Sequence, residues 1–291
     1  MLEVHTSVPR LELVERIDSP IDHFRRYLFR THDGHLLETV RIPLLANRYS
    51  VCVSSQVGCA LGCVFCATGK LGFTRNLQPW EMVDQVLQVR AEADRPVTGA
   101  VFMGQGEPFL NYENVIRAAT ILREPTGGQI RAENITISTA GIIPNIRRFT
   151  AEGHPFRLIV SLSAATTEKR RQIMPIEKKY PLSELIPAIA EYARSRRTRA
   201  TIAWVAMQGV NTDLEDVAAL RKLIEGVPVR FNLIEVNDPS GEYLAPRGPD
   251  WQTFVDALQT LEVPLVRRYT GGKDVNAACG MLASTHAPEI V

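Results

Sequence analysis

The stretch Cys52-Val-Ser-Ser-Gln-Val-Gly-Cys59-Ala-Leu-Gly-Cys63-Val-Phe-Cys66 holds four of the chain's five cysteines within fifteen residues. Cys59, Cys63 and Cys66 form C-x3-C-x2-C, and the fifth cysteine, Cys279, stands alone near the C-terminus. Three thiolates in one short loop can hold three irons of a [4Fe–4S] cube and leave the fourth open to a ligand. A structural zinc site needs four ligands, usually as two paired knuckles, and no second CxxC is present. His32 and His35 are the one close pair of histidines, and Asp33-Gly34 between them reads as a turn. A disulfide framework is disfavoured by the chain's length, its odd cysteine count and an N-terminus without an apolar signal region.

Outward from that loop, short β-branched runs recur, each ending in a small or polar loop. The first, 50–54 (SVCVS), feeds the cysteines; the others lie at 100–103, 135–138, 158–162, 201–207 and 231–236. Between them, apolar periodicity predicts helices at about 78–94, 112–123, 144–152, 181–196, 212–226 and 248–261. Pro79 stands at a helix-start position, and Asn211-Thr-Asp-Leu-Glu-Asp supplies a cap and an acidic first turn. Alternation at this pitch predicts parallel strands with crossover helices. The fold expected is α/β, a partial (β/α)6 TIM-type barrel over 49–291 whose C-terminal segment carries Cys279. Its chemistry would sit on loops at the strands' C-terminal ends. Residues 1–48 read as a short N-terminal β extension, 24–29 and 34–42 forming a hairpin about Asp33-Gly34.

A chain of 291 residues, 45% hydrophobic and 22% charged, suits a globular protein with a sizeable core. No apolar run reaches the ~18 residues of a membrane span, and free thiols suit a reducing compartment, so a cytoplasmic location is expected. The net charge of +1 neither demands nor excludes a nucleic-acid partner. Basic runs at Lys169-Arg170-Arg171, 194–199 and Arg267-Arg268 are read one by one as solvated faces; Lys70 and Arg75 stand out because they follow the cysteine loop.

At this point the chain resembles radical S-adenosylmethionine (SAM) enzymes, and among them the RlmN and Cfr methyltransferases. The resemblance runs from about Gly34 to Leu282. It rests on all five cysteines, Lys70-Leu-Gly-Phe-Thr-Arg-Asn76, Glu38-Thr-Val-Arg-Ile-Pro43, Gly104-Gln-Gly-Glu-Pro108, Ser138-Thr-Ala-Gly141, Ser161-Leu162, Asn232-Leu-Ile234 and Ala277-Ala-Cys-Gly280. It implies that Cys59, Cys63 and Cys66 ligate a [4Fe–4S] cluster and that Gly106 and Glu107 hold the methionine part of SAM. Ser138, Ser161, Leu162, Ser163 and Asn237 would line the rest of that pocket. Cys279 would carry the methyl group, Cys52 would resolve a covalent adduct, Glu38 would take a proton from the substrate carbon, and Met103 would lie near the reaction centre.

The activity implied is methylation of adenine C2 in ribosomal or transfer RNA, with two SAM per turnover and an external electron donor such as flavodoxin or ferredoxin. Adenine C2 is a poor nucleophile, so a cofactor-borne radical must supply the hard step. In the implied sequence Cys279 is S-methylated, its methyl carbon links to the base, and Cys52 attacks the Cys279 sulfur to leave a disulfide. Two other readings stay open: the same two-cysteine chemistry on a small adenine-containing or other sp2-carbon substrate, and a non-catalytic iron–sulfur RNA-binding protein. Gln105 and Ser163 depart from the family's methionine and histidine. With 37 residues before Glu38, the family's N-terminal accessory domain is expected to be absent. A monomer is expected.

Overall fold

A computed structural model of the chain describes residues 9–283. Its strands are β1 (Glu12–Asp18), β2 (Arg25–Arg30), β3 (Leu36–Leu44), β4 (Arg48–Cys52), β5 (Gln56–Gly58), β6 (Phe73–Asn76), β7 (Val97–Phe102), β8 (Ile135–Thr139), β9 (Arg157–Ser161), β10 (Ala200–Ala206), β11 (Val229–Glu235) and β12 (Leu265–Arg267). Its α-helices are α1 (Ala67–Lys70), α2 (Pro79–Ala91), α3 (Tyr112–Arg123), α4 (Ile143–Glu152), α5 (Thr167–Ile173), α6 (Leu182–Ser195), α7 (Leu214–Leu223) and α8 (Gly248–Gln259).

Ten strands form one sheet in the order β1-β2-β3-β4-β7-β8-β9-β10-β11-β12, and every pairing from β4 onward is parallel. Spatial order follows chain order, as in a (β/α) barrel; a doubly wound sheet would reverse at a switch point. The six βα units expected from the sequence are therefore present in barrel order, as a partial barrel with β12 as a short added strand. The ends of the expected helices move by up to three residues, where caps decide them. Asp213 accepts from the Asp216 N–H and closes a capping box on α7, and Gly153 ends α4 in the left-handed conformation.

The N-terminal strands join the same sheet. β2 and β3 form an antiparallel hairpin, and β3 pairs with β4. β1, β12, the β5–β6 hairpin and α5 had no clear signal in the sequence. β1 (ELVERID) reads as polar because it is an edge strand, its Glu12 and Glu15 facing Arg30 and Arg26. No helix among the described residues is long and apolar enough to cross a membrane.

Strand alternation sorts the core into two layers. Leu158, Val160, Ile202, Trp204 and Leu233 pack outward under the helices. Ile159, Ala203 and Ile234 point the other way and meet Met103 and Cys279 inside the barrel. Cys279 arrives there on the segment after β12, which crosses to the β1–β2 loop. There Asp22 accepts hydrogen bonds from the Tyr269 hydroxyl (3.0 Å) and the Gly272 N–H (2.8 Å).

Candidate active site

The cysteine loop is bracketed by the β5–β6 hairpin and tied at both ends. Cys59 N–H donates to the Gly72 carbonyl (2.8 Å), and Cys66 N–H turns back to the Cys63 carbonyl (3.1 Å). Cys59 is buried, while Cys63 and Cys66 are half-buried, and all three lie on the wall of one cavity. Gly106, Glu107, Ser138, Ser161, Met103, Asn237 and Cys279 line the same cavity. Strands β7, β8, β9 and β11 end there, which brings all of these but Cys279 to the wall of the three cysteines.

The Gly-Glu-Pro turn is stitched to β5. Gln56 Oε1 accepts from the Glu107 N–H (2.8 Å), and a Cβ on Gly106 (φ +99°) would come within 2.6 Å of the Gln56 Cβ, so the approach requires glycine. Glu107 is buried and accepts from the Phe109 N–H (2.8 Å) and the Ala140 N–H (2.7 Å). Burial nevertheless outweighs those donors and pushes its carboxyl up to about 7, so a cationic ligand group would be favoured beside it.

Arg170 holds the far wall. It is fully buried and pairs with Glu177 (2.8 Å). It also donates to the carbonyls of Ala140 (2.7 Å), Leu162 (3.3 Å) and Ser161 (3.4 Å). The basic run around it read as a solvated face; only tertiary contacts show that Arg170 joins the loops after β8 and β9. Leu162 and Ser163, expected on the pocket, are not among its lining residues. Both are fully buried, Leu162 in the outward core, while the Ser163 hydroxyl accepts from the Val205 N–H (3.2 Å). The pleat turns the Leu162 side chain away from the face of Ser161, and Ser163, past the end of β9 with φ +55°, has left the strand.

A second cavity adjoins the first through Cys66, Met103, Gly104, Cys279 and Gly280, which line both. Its wall brings together Cys52 and Cys279, 227 positions apart by number. Burial, with the nearby Cys279 sulfur adding to it, pushes the Cys52 thiol up to about 12. Arg268 lines this cavity too, its Nη1 3.4 Å from Met103 Sδ; no sequence signal separated it from Arg267. Glu38 lines neither cavity. It is fully buried and paired with Arg26 Nη1 at 2.6 Å, on the face of β3 that also carries Val40 and Ile42. Val40 packs with Cys52 and Ile42 lines the second cavity, so Glu38 points to the Cys52 side of the strand.

The two cysteine segments are clamped to each other. The Ala67 N–H donates to the Gly280 carbonyl (2.7 Å) and Thr68 Oγ1 to the Leu282 carbonyl (2.7 Å). Gly280 has φ +89°, and a Cβ there would sit 2.9 Å from the Phe65 carbonyl oxygen. Gly280→Ala is expected to cost about 1–3 kcal/mol of stability and to cut turnover by ~10²-fold through displacement of Cys279. Gly226→Ala is the control, with φ +69° and open space around its Cβ. Equal turnover of the two variants would remove the clamp from the account.

The site suits the cofactors the resemblance implies. No three His, Cys, Asp or Glu side chains among the described residues converge on a single metal ion, whereas an iron–sulfur cube takes its thiolates at separate irons. Burial pushes the Cys59 thiol up to about 12 and raises Cys63 and Cys66, with mutual thiolate repulsion adding to it; bound cationic iron would offset that penalty. The buried Asn237 Oδ1 has no hydrogen-bond partner among the described residues. Buried acceptors are seldom left so, and a donor on a ligand in the cavity would satisfy it.

The radical SAM superfamily pattern matches residues 53–224. A probable RNA methyltransferase of Myxococcus xanthus (strain DK1622) is 55% identical over 284 residues, covering 98% of this chain and 79% of that protein. The dual-specificity RNA methyltransferase RlmN of Syntrophobacter fumaroxidans (strain DSM 10017 / MPOB) is 41% identical over 268 residues, 91% of this chain and 78% of that protein. The crystal structure of a radical SAM methyltransferase from Sphaerobacter thermophilus superimposes with a TM-score of 0.93 at 38% identity, covering 98% of this chain and 84% of that one.

Proposed function

Because the chain belongs to the radical SAM superfamily, in the family of the RlmN-type methyltransferases, we propose that it methylates C2 of an adenosine in RNA. The family uses a [4Fe–4S] cluster and SAM, which when bound supply the methyl group and a 5′-deoxyadenosyl radical. Cys59, Cys63 and Cys66 would hold the cluster. Glu107 would receive the SAM ammonium, Asn237 Oδ1 would accept a further donor, and Gly106, Ser138 and Ser161 would shape the wall.

The carrying observation is the shared wall of Cys52 and Cys279, in a cavity that adjoins the three-cysteine cavity. Cys279 is the methyl carrier, since a thiolate is a strong nucleophile toward a methyl sulfonium. Glu38, paired with Arg26, would take the ring proton once the carrier carbon is bonded to the base, and the one electron left on the adduct would return to the cluster when it is bound. Cys52 then attacks the Cys279 sulfur. An S–S bond forms, the C–S bond to the product breaks, and the product carbon takes the electron pair and a proton. A thiol reductant returns two electrons to the disulfide.

Nucleoside mass spectrometry of RNA, from cells with and without the protein, tests the substrate. Loss of 2-methyladenosine on deletion, restored by the wild-type chain, is expected. RNA with unchanged 2-methyladenosine, in a strain without a second such enzyme, would refute the C2 assignment.

A further inference from the structure

At the opposite end of the barrel, where the strands begin, lies a large open cavity. Besides Arg268, six arginines line it: Arg48, Arg157, Arg196, Arg197, Arg199 and Arg230. The topology gathers them. Arg48 and Arg157 open β4 and β9, Arg199 precedes β10, and Arg230 is the second residue of β11. Arg196 and Arg197 stand at the end of α6. Five of the six are exposed, and Arg196 is half-buried.

None of the six makes an ion pair with a carboxylate among the described residues, although arginines elsewhere on the molecule commonly do, as at Arg16–Glu92, Arg75–Glu81 and Arg148–Glu152. Glu133 is the one carboxylate on that wall, and it faces Arg131 at 3.9 Å. A concave surface with six cations and so little internal neutralisation focuses positive potential. That concentration is hidden in the net charge of +1.

The arginine cavity also adjoins the cavity of the reaction centre. Ile42 and Arg268 line both it and the cavity of Cys52 and Cys279. Ile159, on its wall, packs with Ala203, Ile234, Met103 and Cys279. Arg268 likewise has no carboxylate partner among the described residues; its recorded neighbour is the Met103 sulfur. Guanidiniums outside and apolar side chains behind them suit a phosphodiester chain that presents a base: phosphates stay with the arginines, and the base faces the apolar interior.

We infer that the arginine-lined opening at the strands' N-terminal ends is the RNA entrance, its six arginines binding backbone phosphates beside the target nucleotide and Arg268 guiding that nucleotide toward Cys279. This inference rests on the RNA reading proposed above and adds where and by which residues the chain is gripped.

The test is equilibrium binding of a fluorescently labelled, unmodified ribosomal stem–loop RNA by anisotropy, across a salt series. The triple variant Arg197→Gln/Arg199→Gln/Arg230→Gln is expected to bind roughly 10- to 100-fold more weakly at 0.1 M salt. The slope of log K against log salt should become shallower by about 2–3, three phosphate contacts' worth. Arg48→Gln/Arg157→Gln, on other strands of the same opening, should lower affinity independently. A control triple, Arg117→Gln/Arg123→Gln/Lys222→Gln on the outer helices α3 and α7, should bind like wild type, and melting temperatures confirm that all variants fold. Wild-type affinity and slope in both opening variants, or equal loss in the control, overturns the inference while leaving RNA as substrate. A wild-type protein that does not bind the RNA at all fails the RNA reading first, and is distinguished by that result.

Discussion

Cys279→Ala is expected to abolish methyl transfer, by ~10⁴-fold or more, because the group removed is a covalent carrier with no substitute on the wall. Cys66 and Met103 share that wall with Cys279, but in the proposed function Cys66 is committed to the cluster and a thioether cannot accept and release a methyl in the same way. Cluster content, read by absorbance and iron analysis, should be unchanged, since Cys59, Cys63 and Cys66 remain. Cys52→Ala should fail at a different point. Transfer would begin, no thiol would attack the Cys279 sulfur, and protein and RNA would accumulate as one covalent species on a denaturing gel. That species should be absent from Cys52→Ala/Cys279→Ala. If the Cys279 variant still methylates, or the Cys52 variant turns over without trapping an adduct, the two-cysteine mechanism is wrong.

Arg170→Ala should be the most destabilising single change outside the cysteines. It breaks a fully buried ion pair with Glu177 and leaves the carbonyls of Ala140, Leu162 and Ser161 without their guanidinium donor. Loss of one partner from such a pair costs about 3–5 kcal/mol, which lowers the melting temperature on the order of 10 °C. Arg170→Lys should recover little, because one ammonium cannot span a carboxylate and three carbonyls in the plane a guanidinium occupies. Arg171→Ala, the exposed neighbour, is expected to stay within about 0.5 kcal/mol of wild type. Similar melting temperatures for the two alanine variants would show that Arg170 does not anchor the wall.

These residues also divide what a linear reading reaches from what it does not. The C-x3-C-x2-C spacing is local, so the three candidate iron ligands stand within eight residues. The six strand–helix alternations are equally local, because pleat and helix periods are written in neighbouring side chains. Gly106, Glu107, Ser138, Ser161 and Asn237 were expected from the resemblance, and each stands at or shortly after the C-terminal end of a recognisable strand.

Other features depend on which strands become neighbours. The sequence could place Arg170 only in a basic run, and its burial exists because α5 packs beneath the loops after β8 and β9. Leu162 and Ser163 were expected in the pocket from the resemblance; both are buried and neither is on the cavity wall. Glu38 was legible as a carboxylate; its partner Arg26 comes from the neighbouring strand β2. The arginine opening is the extreme case. Arg48, Arg157, Arg199 and Arg230 lie in four separate stretches, each unremarkable, and converge only because parallel strands in barrel order begin at one end. Sequence by itself determined the three-cysteine motif proposed to hold the cluster and the βα order, whose signals are short-range. Tertiary structure decided the pairing of Cys52 with Cys279 and the charge of the opening, because long-range contacts are set by sheet order and by the C-terminal segment that crosses the barrel.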